Sequence, residues 1–259
     1  MPRANRYFLP GHVWHITHRC HKKEFLLKFA KDRKRWLHWL FEARKRFGLC
    51  LLNYIVTSNH IHLLVRDHGQ GEIKNSMQLV AGRTAQEYNQ RNGRKGAFWE
   101  DRYHATAVDS EMYLARCMVY IDLNMVRAGV VSHPVDWPWC GYCEIQSPPQ
   151  RYALIDRRAL SELLGINSFK RYQQVHKCWI EYELKSAQLE REPVWTQSLA
   201  VGHKDYVEGV KLALGIAGRY RSIVEENDAY GLKEPVMPYA THLECEMDIL
   251  NAENTILLE

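Results

Sequence analysis

The sequence predicts an α+β fold: a ferredoxin-like split β-α-β arrangement with a mainly antiparallel sheet and its helices on one face, followed by a mostly helical C-terminal region. Three observations predict it. Short runs rich in β-branched and aromatic residues alternate with two long amphipathic segments in the order β-α-β-β-α-β across the first 108 residues. Each long segment closes on a glycine-bearing turn signal. Beyond about residue 156 the apolar spacing is helical as far as about 226.

VWHITHR (13–19) has no Gly or Pro inside and reads as the first strand. A helix follows over 32–47, stopped by Gly48, with Trp36, Leu37, Leu40 and Phe41 forming an apolar stripe among basic residues. CLLNYIVT (50–57) and HIHLLVR (60–66) read as two strands joined by the tight turn Ser58-Asn59. The loop DHGQGE leads into a second helix over 72–91, ending at Asn92-Gly93. FWEDRYHATAV (98–108) is a further strand. Asp109 or Ser110 can cap a third helix running through Arg127, with Gly129 as its stop. Pro134, Pro138, Pro148 and Pro149 then mark a looser segment. The expected organisation is a domain over 1–145, a mostly helical region over 146–241 that could serve DNA recognition, and a tail over 242–259. That tail holds five acids and no Lys or Arg, and reads as loosely docked.

Composition narrows the class. No apolar run approaches the roughly 20 residues of a membrane span, and no apolar segment near the start resembles a signal peptide. Seven cysteines, an odd number without regular spacing, fit reduced thiols in a cytoplasm better than a disulfide framework. Residues 1–150 carry 22 Lys and Arg against 13 Asp and Glu, whereas the remainder carries 13 against 17. That asymmetry suggests that a polyanion meets the first part, although a solvated helix face accounts for some of the charge.

His60 and His62 are one residue apart on a predicted strand, so both imidazoles leave the same face and could hold one divalent cation. Alone, such a pair is equally compatible with plain strand packing. In YIDLN, Tyr120 and Asn124 lie four residues apart, on one face of the third helix. The Asn124 amide oxygen could add a third ligand beside the Tyr120 phenol, and two imidazoles with an amide oxygen suit Mn²⁺ or Mg²⁺. Tyr113, seven residues earlier, lies on nearly the same face and is a rival for the phenol's role. Such a metal could polarise a phosphodiester while the phenol attacks phosphorus.

Other motifs point elsewhere. WCGYC (139–143) invites comparison with thioredoxin-type centres, but it follows a Pro-rich turn with no βαβ unit around it, and no second CxxC exists to complete a zinc site. His12, His15, His18 and His21 recur every third residue; on a strand they alternate between faces, so the spacing reads as coincidence, with His15 near the active face. Gly69-Gln70-Gly71 lacks the lysine and spacing of a P-loop, so no nucleotide cofactor is expected. The aromatic pattern of an RRM-type RNA-binding sheet is missing.

SNHIHLLVR, GAFWEDRYHATAV, YLARCMVYIDLNMVRAGVV and HPVDWPWCGY, in this order over roughly residues 1–145, resemble the single-tyrosine HUH transposases. Among them the REP-associated tyrosine transposases of bacteria are the most similar. The resemblance implies paired-histidine ligands at His60 and His62, the nucleophile at Tyr120 and the further metal ligand at Asn124, where insertion-sequence relatives usually carry glutamine. Met125 departs from the proline usual in that motif, and Cys140 and Cys143 stand in a segment that usually holds small residues. Beyond about residue 150 the similarity fades. The implied reaction is transesterification on single-stranded DNA near a hairpin through a 5′-phosphotyrosine, with Mg²⁺ or Mn²⁺ as cofactor. Expected DNA contacts are phosphate binding by Arg102 and Arg127 and base stacking by Trp99, Tyr103 or His104. The resemblance also favours a monomer over a dimer and a cytoplasmic, nucleoid-associated place in a bacterium. The competing class is a non-catalytic, domesticated DNA-binding protein on the same fold.

Overall fold

The computed structural model describes residues 8–186, 189–226 and 228–234; the expected acidic tail over 242–259 lies outside the described residues. β1 (Val13–Arg19), α1 (Ala30–Phe47), β2 (Cys50–Val56), β3 (His60–Arg66), α2 (Glu72–Arg91) and β4 (His104–Val108) follow the expected order. α1 stops at Gly48, whose left-handed φ of 71° lets its N–H return to the Arg44 carbonyl, a conformation costly for any residue with a Cβ. The four strands lie in the order β2-β3-β1-β4, each antiparallel to its neighbour, as the split β-α-β arrangement requires.

Register decides which side chains share a face. Thr17 pairs with His62 and Arg19 with His60, while His15 pairs with Thr106 and Thr17 with His104 across β4. Arg19, Thr17, His15, His60, His62, His104 and Thr106 therefore project from one face. The other face carries Ile16, Ile61 and Leu63, all fully buried. His18, also on that second face, stacks on Trp99 at 4.1 Å, and the Trp99 indole donates to Ala81 of α2. α2 thus covers the apolar face together with α1, against which it packs. The expectation of helices on one face holds only for these two. α3 (Met112–Asp122) lies on the opposite face, because Tyr120 meets the rings of His15 and His62.

The register of β2 shifts between Leu51 and Asn53. This irregularity turns Asn53 to the α3 side, where its amide donates to the Asp122 carboxylate at 3.0 Å. α3 begins after Glu111, which sits at φ 51° without a side-chain cap, and not after a capping Asp109 or Ser110. It does not run unbroken to Arg127. Leu123 interrupts it, and α4 (Asn124–Arg127) is a separate turn.

Beyond α5 (Gly141–Gln146), α6 (Arg157–Leu163), α7 (Phe169–Ser186) and α8 (Val194–Gln197) the chain returns to the sheet. β5 (Ala200–Gly202) pairs parallel to β4. After α9 (Lys204–Ala213) and α10 (Ile216–Arg219), β6 (Ser222–Glu226) and β7 (Ala229–Lys233) complete a seven-stranded sheet in the order β2-β3-β1-β4-β5-β7-β6. The C-terminal region is mostly helical as expected, through α6 to α10, and it also contributes three of the seven strands. β5 has only three residues, AVG, too few for any period to register in sequence. Among the described residues, no helix is long and apolar enough to cross a membrane.

Candidate active site

A cleft of about 950 Å³ opens over the polar face of the sheet, lined by His60, His62, Tyr120 and Asn124. The hairpin turn builds its first side. His60 Nδ1 lies 2.7 Å from Asn59 Oδ1 and 3.0 Å from Thr57 Oγ1. Donation to the Asn59 oxygen places the His60 proton on Nδ1 and leaves Nε2 bare. His62 Nδ1 lies 2.8 Å from His15 Nε2, and the Asn124 amide nitrogen is 3.1 Å from His62 Nε2. Asn124 also hydrogen-bonds the His60 side chain, so one amide spans both imidazoles.

Burial keeps these rings neutral. It pushes His15 down to about 3 and His60 to about 4, with Arg19 and Arg191 adding to the fall at His60. His62 is driven well below the ordinary imidazole range by burial first and by His15 and His60 second. Two neutral imidazoles converging on one amide are a donor set that fits a divalent cation, with a half-turn of the Asn124 amide presenting its oxygen. Among the described residues, no group of three or more His, Cys, Asp or Glu could hold a metal, so the amide is essential to any such site.

Tyr120 is 4% exposed. Its ring centroid lies 6.0 Å from that of His62, 6.1 Å from His15 and 6.2 Å from Trp195 of α8. Arg127 caps the ring face at 4.2 Å and donates to the Tyr120 carbonyl. Burial raises the phenol's pKa, and the Arg127 and Arg191 guanidinium groups oppose that rise. Tyr113 is elsewhere: its ring packs edge-on to His203 and its hydroxyl donates to the Asp228 carbonyl.

The structure brings together His60, His62, Tyr120, Asn124, Arg102, Arg127 and His104 around the cleft. Two expected base-stacking residues need correction. Tyr103 is 4% exposed and packs against Phe8 and His18. Trp99 does not line the cleft, and its ring is committed to His18 and Ala81. Sequence reasoning missed Arg19 and Arg191, which line the cleft, and the direct bond from His15 to His62. A period-2 count from His15 through Thr17 to Arg19 could have placed both β1 residues on the histidine face. Arg191 lies in a loop and gives no such signal.

The site is thus an imidazole pair on an antiparallel split β-α-β sheet, faced by a tyrosine on a following helix. Residues 10–124 match the family described as "Transposase IS200 like". No curated protein matches this chain. Among solved structures, a REP-associated tyrosine transposase bound to a REP hairpin is similar at 18% identity and a TM-score of 0.49, over 57% of this chain and 87% of the other. A Deinococcus radiodurans R1 protein assigned as a transposase is similar at 19% identity and a TM-score of 0.33, over 45% of this chain and 93% of the other. At these identities and scores the likeness supports no assignment of activity.

Proposed function

We propose that the protein cleaves single-stranded DNA beside a hairpin-forming palindrome and transfers the strand, using Tyr120 as nucleophile and a divalent cation, Mg²⁺ or Mn²⁺. The observation that carries this is the placement of the Tyr120 ring 6.0 Å from His62, where two neutral imidazoles meet the Asn124 amide. His60, His62 and Asn124 would hold the cation, which when bound supplies Lewis-acid polarisation of a phosphodiester oxygen. Tyr120 Oη forms a bond to phosphorus, the P–O3′ bond breaks, the phenol loses its proton and the departing 3′ oxygen gains one. The product is a 5′-phosphotyrosine and a free 3′-hydroxyl. A second 3′-hydroxyl can reverse the exchange, so no nucleotide cofactor is consumed. Arg19, Arg102 and Arg191 would meet phosphates along the cleft. Repetitive extragenic palindromes are the favoured target because asparagine stands at 124, where insertion-sequence relatives usually carry glutamine.

Tyrosine and histidines of one chain already face each other, which favours a site complete within a monomer. The test is incubation of the purified protein with hairpin-tailed single-stranded oligonucleotides and Mg²⁺ or Mn²⁺. A denaturation-resistant protein–DNA adduct is expected with the native chain and none with Tyr120→Phe. An undiminished adduct in Tyr120→Phe removes the assigned nucleophile. Binding without cleavage on every hairpin tested identifies instead a non-catalytic DNA-binding protein.

A further inference from the structure

The His62 imidazole can serve a cation at Nε2 only if its proton sits on Nδ1, and the structure contains a device that puts it there. His15 is fully buried, with Nδ1 2.9 Å from the Trp195 carbonyl and Nε2 2.8 Å from His62 Nδ1. A carbonyl oxygen can only accept, so the His15 proton sits on Nδ1 and donates to Trp195. The neutral ring then has a bare Nε2, which can only accept. The hydrogen bond to His62 therefore requires a proton on His62 Nδ1, and His62 Nε2 is left bare toward Asn124 at 3.1 Å. Each direction in this chain follows from the one before it.

We infer that His15 is a positioning residue that fixes the tautomer and ring orientation of His62, taking its own direction from the Trp195 carbonyl of the α8 turn. The two rings lie nearly parallel, 10° apart with centroids at 5.0 Å, so the bond also holds the His62 plane. His60 reaches the same tautomer by a different route, through Asn59 and Thr57 of its own hairpin turn. The two imidazoles are therefore set by independent supports, one local and one reaching 180 residues along the chain to Trp195. Outer partners of this kind typically change metal affinity about 10- to 100-fold when removed.

The inference deepens the metal-dependent function proposed above and rests on it for the cation's role, but not for the tautomer. His15→Phe removes both hydrogen bonds and keeps a ring of similar size. His15→Gln keeps one donor and one acceptor on a planar group. Mn²⁺ binding, read by electron paramagnetic resonance and calorimetry, is expected to weaken about 10- to 100-fold in His15→Phe and to stay within about threefold of native in His15→Gln. Long-range ¹H–¹⁵N correlation spectra of the metal-free native protein should show His62 as the Nδ1–H tautomer, and His15→Phe should shift it toward Nε2–H. Unchanged Mn²⁺ affinity in a folded His15→Phe protein overturns the inference, as does an Nε2–H tautomer at His62 in the native chain. If the native protein binds no Mn²⁺, the proposed metal chemistry fails, while the tautomer of His62 still decides the role of His15. If His15→Phe does not fold, the native spectrum and the His15→Gln affinity decide it.

Discussion

Asp122 and His176 form an ion-pair geometry at 2.8 Å with both side chains fully buried, and Asn53 donates to the second carboxylate oxygen at 3.0 Å. The cluster ties α3, two residues past Tyr120, to β2 and α7. His176→Leu would strand the carboxylate with one partner. Removing one member of a buried, hydrogen-bonded pair costs about 3–5 kcal/mol, since the remaining charge keeps its desolvation penalty. At roughly 2–4 °C per kcal/mol for a chain near this size, the melting temperature should fall by about 6–20 °C. Urea unfolding and circular-dichroism melts near neutral pH measure both quantities. His176→Leu combined with Asp122→Asn should recover much of the loss, because a neutral amide needs no counter-charge and still accepts from Asn53. A loss below about 1 kcal/mol in the single variant, or a double variant no better than it, would refute the assignment of an interlocked, hydrogen-bonded cluster.

Three further outcomes are expected. His15 and His60 have folded pKa values of about 3 and 4 against an ordinary 6.5, so the unfolded chain binds more protons below 6.5 and stability falls as pH falls. The loss should reach about 2 kcal/mol for each ring by pH 5, read from urea midpoints with and without His15→Gln; a pH-independent midpoint between 7 and 5 would contradict it. A Cβ at Gly141 would lie 1.9 Å from Asn53 Oδ1 and 3.1 Å from the Tyr54 backbone nitrogen. Gly141→Ala should cost about 1–3 kcal/mol, and an unchanged melting temperature would show that the contact is easily relieved. Mixing Tyr120→Phe with His62→Ala should restore no adduct if each site is complete in one chain, whereas restoration would reveal a site shared between two.

The first four strands and two long helices were legible because each repeats its own period over at least five residues with a turn signal beside it. The break at Leu123 was not. Nothing in YIDLNMVR distinguishes one helix from two turns, and the interruption depends on where Asp122 and Arg127 are held. That His60 and His62 share one face was legible from spacing alone, because strand alternation is local. His15 was not, because its role depends on a carbonyl that only folding brings to it. Charge density within the basic first part did not by itself locate the cleft. The densest basic stretch, 28–46, lies mostly on α1 and is partly spent on structure: Arg35 pairs with Glu87, Arg46 with Glu42, and Arg33 donates to the Leu27 and Lys28 carbonyls under two tryptophans. The cleft's arginines are instead Arg19, Arg102, Arg127 and Arg191, scattered singly through the sequence.

That scatter bears on how the polar face of the sheet survives burial. His15, His104 and Thr106 are side-chain donors on a surface that would be costly to cover with apolar groups. α8 meets them with the free carbonyls that every helix leaves at its end. His15 donates to the Trp195 carbonyl at 2.9 Å and His104 to the Ser198 carbonyl at 2.9 Å, while the single Thr106 hydroxyl proton goes to Ser198 at 2.6 Å, with Trp195 3.2 Å away. The next residues continue directly into β5, where Ala107 and Asp109 donate to Leu199 and Val201. Trp195, fully buried, closes the floor against Tyr120. The segment after residue 190, where sequence similarity is faint, thus satisfies the donors of the chemical face, orients one of its imidazoles and contributes Arg191 to its cleft. A change in this segment that removes no candidate ligand can still reach the site, through the direction of a single carbonyl.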